Sequence, residues 1–381
     1  MLDVESLVPF LAQRGLLSAD WIVEGDLTIR SVARRNRNIM VEGPGGQGFV
    51  VRQPDPLSSE SRRTLAAEAC LLEFCRRDET TVLARWLPPL TLRDHDRGLH
   101  VIGLIPGART LHAHLLAQSP TSGTIAGPSR DLGRALGTLH RVLRRPGMVD
   151  DPALAWLRDV PPWAFRAHRP EITLLDALSP AGVRLFQILQ AEAKLGALLE
   201  TLAAKWRPEA VIHGDVRSDN VLVSAQGTLN EDSAGGVWII DWEFVQVGDP
   251  AWDVAGALHD GLVLWTASMP LRPSLSPDEM VARARLPIEA IRDLSRSFWQ
   301  GYVEAAALHP RRVGDSAEAL YRRASAFAVA RLIQAALELC GERDDLPVQA
   351  VLLLQLAANL AADLPRAAEA LFGIAFDTAL P

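Results

Sequence analysis

Two polar loops, each led in by an apolar, β-branched run, constrain this chain more than anything else in it. Residues 211–224 read VIHGDVRSDNVLVS and residues 237–253 read VWIIDWEFVQVGDPAWD. Val221–Ser224 and Val237–Asp241 are predicted strands, which puts His213–Asn220 and Asp241 at strand mouths. Three oxygen-bearing side chains, Asp215, Asn220 and Asp241, then belong to one site. Phosphoryl transfer needs such a set: one carboxylate to take a hydroxyl proton, and oxygen ligands to hold Mg²⁺ against a triphosphate. Asp215 suits the first role, Asn220 and Asp241 the second. The spacing agrees, since Asp215 to Asn220 is the Asp-x-x-x-x-Asn step of catalytic loops.

The rest of the chain divides by character. A helix is expected over residues 3–14, then short strands at Asp26–Val32, Asn38–Glu42 and Phe49–Gln53. A helix capped by Ser58 or Ser59 runs to about Arg77, with Leu65, Ala69 and Leu72 on its apolar face. Pro88–Leu92 and Leu99–Ile105 read as strands, and Pro106-Gly107 breaks the pattern. From Thr110 helices dominate: one at Arg130–Leu143, and one from Pro180, capped by Ser179, to near Trp206. The fold class is α+β, with a β-rich N-lobe over 1–105 and a mainly helical C-lobe over 106–381 that contains the hairpin of the two loops.

HGD-x-x-x-x-N, a strand ending IDWE, and GDPAWD together resemble the aminoglycoside phosphotransferase and choline kinase family, over almost the whole chain. The resemblance implies a bilobal, protein kinase-like fold and an ATP-dependent transfer of the γ-phosphoryl group to a hydroxyl. It implies Asp215 as base, Asn220 and Asp241 as Mg²⁺ ligands, His213 as the residue that orients the loop, and Asp249 and Asp253 as braces. The family usually has His-Pro after the catalytic Asp-x pair; here Arg217-Ser218 follows. Arg217 thus becomes a candidate for dispersing charge on the transferring group. Glu243 is a candidate to face the substrate.

A kinase N-lobe needs a cation on its third strand for the phosphates and a helix glutamate to hold it. Glu68 in LAAEACLLEF is the glutamate, and FVVRQP puts Arg52 where the family has lysine. Only two lysines occur, Lys194 and Lys205, neither of them in the N-lobe. Arg52 would therefore have to do lysine's work through a fork of donors. Gly43–Gly48 spells GPGGQG, but a strand follows it where a dinucleotide site needs a helix, so it reads as a turn. The nucleotide loop falls earlier, at Ser31–Asn38, with Ser31 and Asn36 as its contacts and Asn36-x-x-Ile39-x-Val41 as its strand entry. Adenine is expected on the hinge backbone at Gly103, Leu104 and Ile105.

Composition narrows the alternatives. A net charge of -7 offers no basic surplus for a nucleic-acid backbone. Cys70, Cys75 and Cys340 form no metal or disulfide pattern. The N-terminal segment is acidic where a signal peptide is basic, and the uncharged run Leu346–Ala362 is short for a span, so a cytoplasmic protein is expected. The acceptor is expected to be a small molecule, in antibiotic inactivation or metabolism, or a natural-product peptide phosphorylated beside a partner lyase. The rival reading is a nucleotide-binding pseudokinase serving as scaffold subunit of a lanthipeptide-type complex, prompted by the missing lysine.

Overall fold

The computed structural model describes residues 2–23, 27–33, 37–117, 122–144, 151–169, 178–224, 236–272, 274–308 and 316–376. They form two compact units. The first comprises Met1–Thr110, Asp150–Leu157 and Asn220–Val245; the second comprises Leu111–Val149, Arg158–Asp219 and Gln246–Pro381. A strand beyond residue 105 carries the later hairpin into the first unit. Strand β6, Ala108–Thr110, pairs antiparallel with β8, Val221–Ser224, which pairs with β9, Val237–Ile239. The hairpin thereby belongs to the first unit.

In that unit a five-stranded sheet runs in the order β1-β2-β3-β5-β4. Its strands are β1 Thr28–Ala33, β2 Arg37–Glu42, β3 Gly48–Gln53, β4 Leu90–Asp94 and β5 Leu99–Gly103. Apolar residues from alternate positions, Ile39, Val41, Val51, Leu99 and Val101, pack with Leu7, Phe10 and Leu11 of the helix Val4–Gln13. Gly43–Gly48 is the turn between β2 and β3, as its composition predicts. Ser58 caps the helix Ser59–Phe74, whose Glu68 is buried.

The second unit is mainly helical. The helix Ser122–Val142 is longer than expected, and the one expected from Pro180 to Trp206 is two, Pro180–Ala191 and Ala193–Ala204. Glu192, with ψ 73°, breaks them, and no glycine or proline marks the break. Strands β7, Ala210–Ile212, and β10, Gln246–Gly248, pair, and β7 leads into the loop that carries His213 and Asp215. The helix Pro250–Ala267 is buried along most of its length, and Trp252 packs with Phe165, Trp206 and Phe327 in an aromatic cluster. The long helix Ala317–Cys340 completes this core. Among the described residues no helix is long and apolar enough to cross a membrane, and the three cysteines are free.

Candidate active site

In the first unit, Arg52 is the centre of a carboxylate cluster. It lies on β3 directly opposite His100 of β5, and both are buried. Arg52 Nη1 donates to Glu68 Oε1 at 2.7 Å and Nη2 to Asp241 Oδ1 at 2.6 Å. Glu243 Oε2 stands 3.8 Å from the same Nη2. Glu243 therefore turns toward Arg52, not outward to a substrate. Glu68 is held from three sides, since Trp242 N donates to Oε1 and His100 Nε2 sits 3.0 Å from Oε2. Burial pushes the Glu68 carboxyl up, but Arg52 and His100 outweigh it and hold it at about 2. The Arg52 guanidinium is opposed by burial yet raised by Glu68 and Asp241, so it stays charged.

Asp241 occupies the left-handed region, φ 66° and ψ 58°, a backbone state that Asp tolerates better than most residues. Asn220 sits across the hairpin from it, with Ile240 N donating to Asn220 O at 2.9 Å. Both offer oxygen donors, the ligand type that Mg²⁺ takes. Asp241 Oδ1 belongs to Arg52, while Oδ2 has no hydrogen bond among the described residues. The pair fits a hard cation, with the guanidinium as a competitor for one carboxylate.

Ser31 lies exposed in β1, opposite Ile39. Asn36, Arg34 and Arg35 lie outside the described residues. The hinge expectation narrows: Gly103 N donates to Pro89 O at 2.8 Å and Leu104 N to Gly48 O at 2.9 Å. Those two amides are committed within this unit and cannot serve a base edge. Among the described residues Ile105 N carries no such backbone bond.

In the second unit, the loop after β7 presents Asp215. Its backbone is splinted along one stripe of the helix Pro250–Ala267. Asp253 accepts from His213 N at 2.7 Å and Gly214 N at 2.9 Å, and Asp260 accepts from Ser218 N at 3.0 Å. Between them Gly256 brings the helix so close that a methyl there would lie 2.8 Å from Val216 O. His213 is buried and its Nδ1 accepts from Asp215 N at 3.1 Å, the orienting place the resemblance gave it. His140 joins Asp253 to Tyr302. Asp249 caps the helix and pairs with Arg323, so it braces the helix, not the loop itself.

The Asp215 carboxylate is gripped by arginine. Arg217 donates to Oδ1 from Nη2 at 2.7 Å and Nε at 3.1 Å, and Arg331 Nη2 donates to it at 3.2 Å. Burial alone would raise this carboxyl, but Arg331 and Arg217 hold it at about 2. His259, buried nearby, donates from Nδ1 to Gly256 O at 2.6 Å; burial first, then the two arginines, keep it neutral.

Sequence reasoning missed Arg331 and the contact of His100 with Glu68. Arg331 had a signal: it is the one charge between Arg323 and Glu338 in an apolar helical run, and such a charge needs a partner. His100 had a weaker one, its register opposite Arg52.

The phosphotransferase enzyme family model (APH) matches residues 26–293. The structure of choline kinase from Cryptosporidium parvum Iowa II superposes with TM-score 0.55 at 10% identity, covering 95% of this chain and 96% of that one. Amicoumacin kinase hAmiN, solved with AMP-PNP, Ca²⁺ and Ami, superposes with TM-score 0.53 at 12% identity, covering 93% and 96%. No curated protein sequence matches the chain significantly. The likeness to these structures shows a kinase-like fold, the family match covers both clusters apart from Arg331, and the chain belongs to the phosphotransferase enzyme family.

Proposed function

We propose that the chain transfers the γ-phosphoryl group of ATP to a hydroxyl of a small molecule. The observation that carries the reading is the state of Asp215: a nearly buried carboxylate that two guanidiniums keep ionised. The acceptor oxygen bonds to the γ-phosphorus, the bond from that phosphorus to the β–γ bridging oxygen breaks, ADP leaves, and the hydroxyl proton passes to Asp215. A carboxylate this acidic suits a loose transition state, where the proton leaves late, after the oxygen has begun to bond. Arg217 places positive charge beside the transferring group. Asn220 and Asp241 hold Mg²⁺, which when bound neutralises phosphate oxygens. Arg52, kept in place by Glu68, binds phosphate, and the backbone at Ile105 meets adenine. Ser31 and Asn36 remain the assigned nucleotide-loop contacts.

Near Asp215 the carboxylate of Glu338 is answered by Arg217 Nη1 at 3.3 Å, so arginine balances acid there. Such balance favours a neutral or anionic acceptor over a polycation. Purified chain, Mg·ATP and a panel of hydroxyl compounds test the reading: acceptor-dependent ADP release should vanish in Asp215→Asn, and release that survives would refute it. One observation favours the scaffold reading instead, the Arg52–Asp241 ion pair, which takes a carboxylate oxygen from the metal. Tight AMP-PNP binding with no transfer to any acceptor would establish that alternative.

A further inference from the structure

We propose that Arg331 is a positioning residue for Asp215, holding the carboxylate and the backbone beside it in the orientation that takes the acceptor's proton. The inference rests on the phosphotransfer reading above and adds a residue that lies beyond the stretch matched by the family model, 26–293.

Arg331 is 2% exposed, in the middle of an apolar helix. Burying a guanidinium is costly, and an apolar side chain of similar volume would pack there at lower cost. Its bonds show where it acts. Nη2 reaches both Asp215 Oδ1 at 3.2 Å and Val216 O at 3.3 Å. The guanidinium lies over the Trp252 ring, 5.1 Å from its centroid, and Trp252 Nε1 donates to Gly214 O at 2.9 Å. Residues 214, 215 and 216 are therefore all fixed by one arginine–tryptophan stack.

The bonds also close a ring. Arg331 Nη1 donates to Gln334 Oε1 at 3.3 Å, and Gln334 Nε2 donates to Glu338 Oε1 at 2.9 Å. Glu338 Oε2 accepts from Arg217 Nη1 at 3.3 Å, and Arg217 returns to Asp215 Oδ1. Residues 331, 334 and 338 share one stripe of the helix, so a rigid element supports the whole circuit. Within it Oδ1 accepts three N–H bonds, more than its two lone pairs favour. That oxygen is thereby tied to the circuit, which fixes the plane of the carboxylate. The Arg217 side chain is 33% exposed and that of Arg331 2%, so Arg331 is the enclosed end of the circuit.

The test measures intrinsic Mg·ATP hydrolysis, with water as acceptor, alongside AMP-PNP affinity and melting temperature. Arg331→Met should lower kcat by about 30-fold while AMP-PNP affinity stays within about twofold, because misplacing a reacting group by an ångström costs up to about a hundredfold. Arg331→Lys should recover part of the loss. Gln334→Leu, at a half-buried site that tolerates change, should lower kcat by about threefold by opening the ring, and the double variant should match Arg331→Met alone. Should Arg331→Met fail to fold, Arg331→Lys and Gln334→Leu carry the same comparison. Unchanged kcat in folded variants, or fully additive losses, would overturn the inference while leaving phosphotransfer standing. A wild-type chain that releases no ADP with water or with any hydroxyl acceptor rejects the phosphotransfer reading and this inference together.

Discussion

The two arginine-centred clusters are built with opposite charge ratios. Arg52 alone meets three carboxylates, Glu68, Asp241 and Glu243. Asp215 alone meets two arginines, Arg217 and Arg331. The first cluster carries an anionic surplus and calls for a further cation. The second holds one carboxylate ionised between two guanidiniums, with Glu338 answering Arg217. Arginine thus occupies an oxygen of the proposed metal ligand in one place and grips the proposed base in the other.

The comparison breaks first at Asp215. Asp215→Asn removes the group both arginines serve and should lower kcat by about a thousandfold, read as ADP release. Glu68→Leu should next cost about 3 kcal/mol of stability in urea titration, since it leaves Arg52 buried with one partner fewer. Arg52→Met should free Asp241 Oδ1, so Mn²⁺ binding followed by electron paramagnetic resonance should tighten several-fold. Unchanged binding would mean that Arg52 does not compete. The smallest effect concerns acidity. Asp215 is depressed to about 2, so its ionised form persists above that pH and is lost only as pH falls through it. Arg217→Met leaves burial opposed mainly by Arg331, so the carboxyl rises and an acid limb should enter the kcat/KM profile at higher pH. A profile identical to the parent's would show that Arg217 does not set the base.

The contrast also marks what could be read from the chain. Asp215, Asn220 and Asp241 were legible because loop spacing and strand entry are local properties. So were Arg52 and Glu68, from strand and helix order. Arg331 pairs with Asp215 over a separation of 116 residues, and only its solitary charge hinted at a partner. The approach of Glu243 to Arg52, two residues past the left-handed turn at Asp241, leaves no mark in composition. β6 and β10, at three residues each, are too short for alternation to show, and with β6 the pairing that carries the hairpin went unread.

The helix Pro250–Ala267 meets the Asp215 loop at Asp253, Gly256 and Asp260 with no room for a side chain at the middle contact. A reaction centre cast onto a rail in this way is insulated from drift in its surroundings. Lineages descending from such a chain can exchange one acceptor for another by remodelling distant walls, and the machinery that moves the proton stays in register while they do.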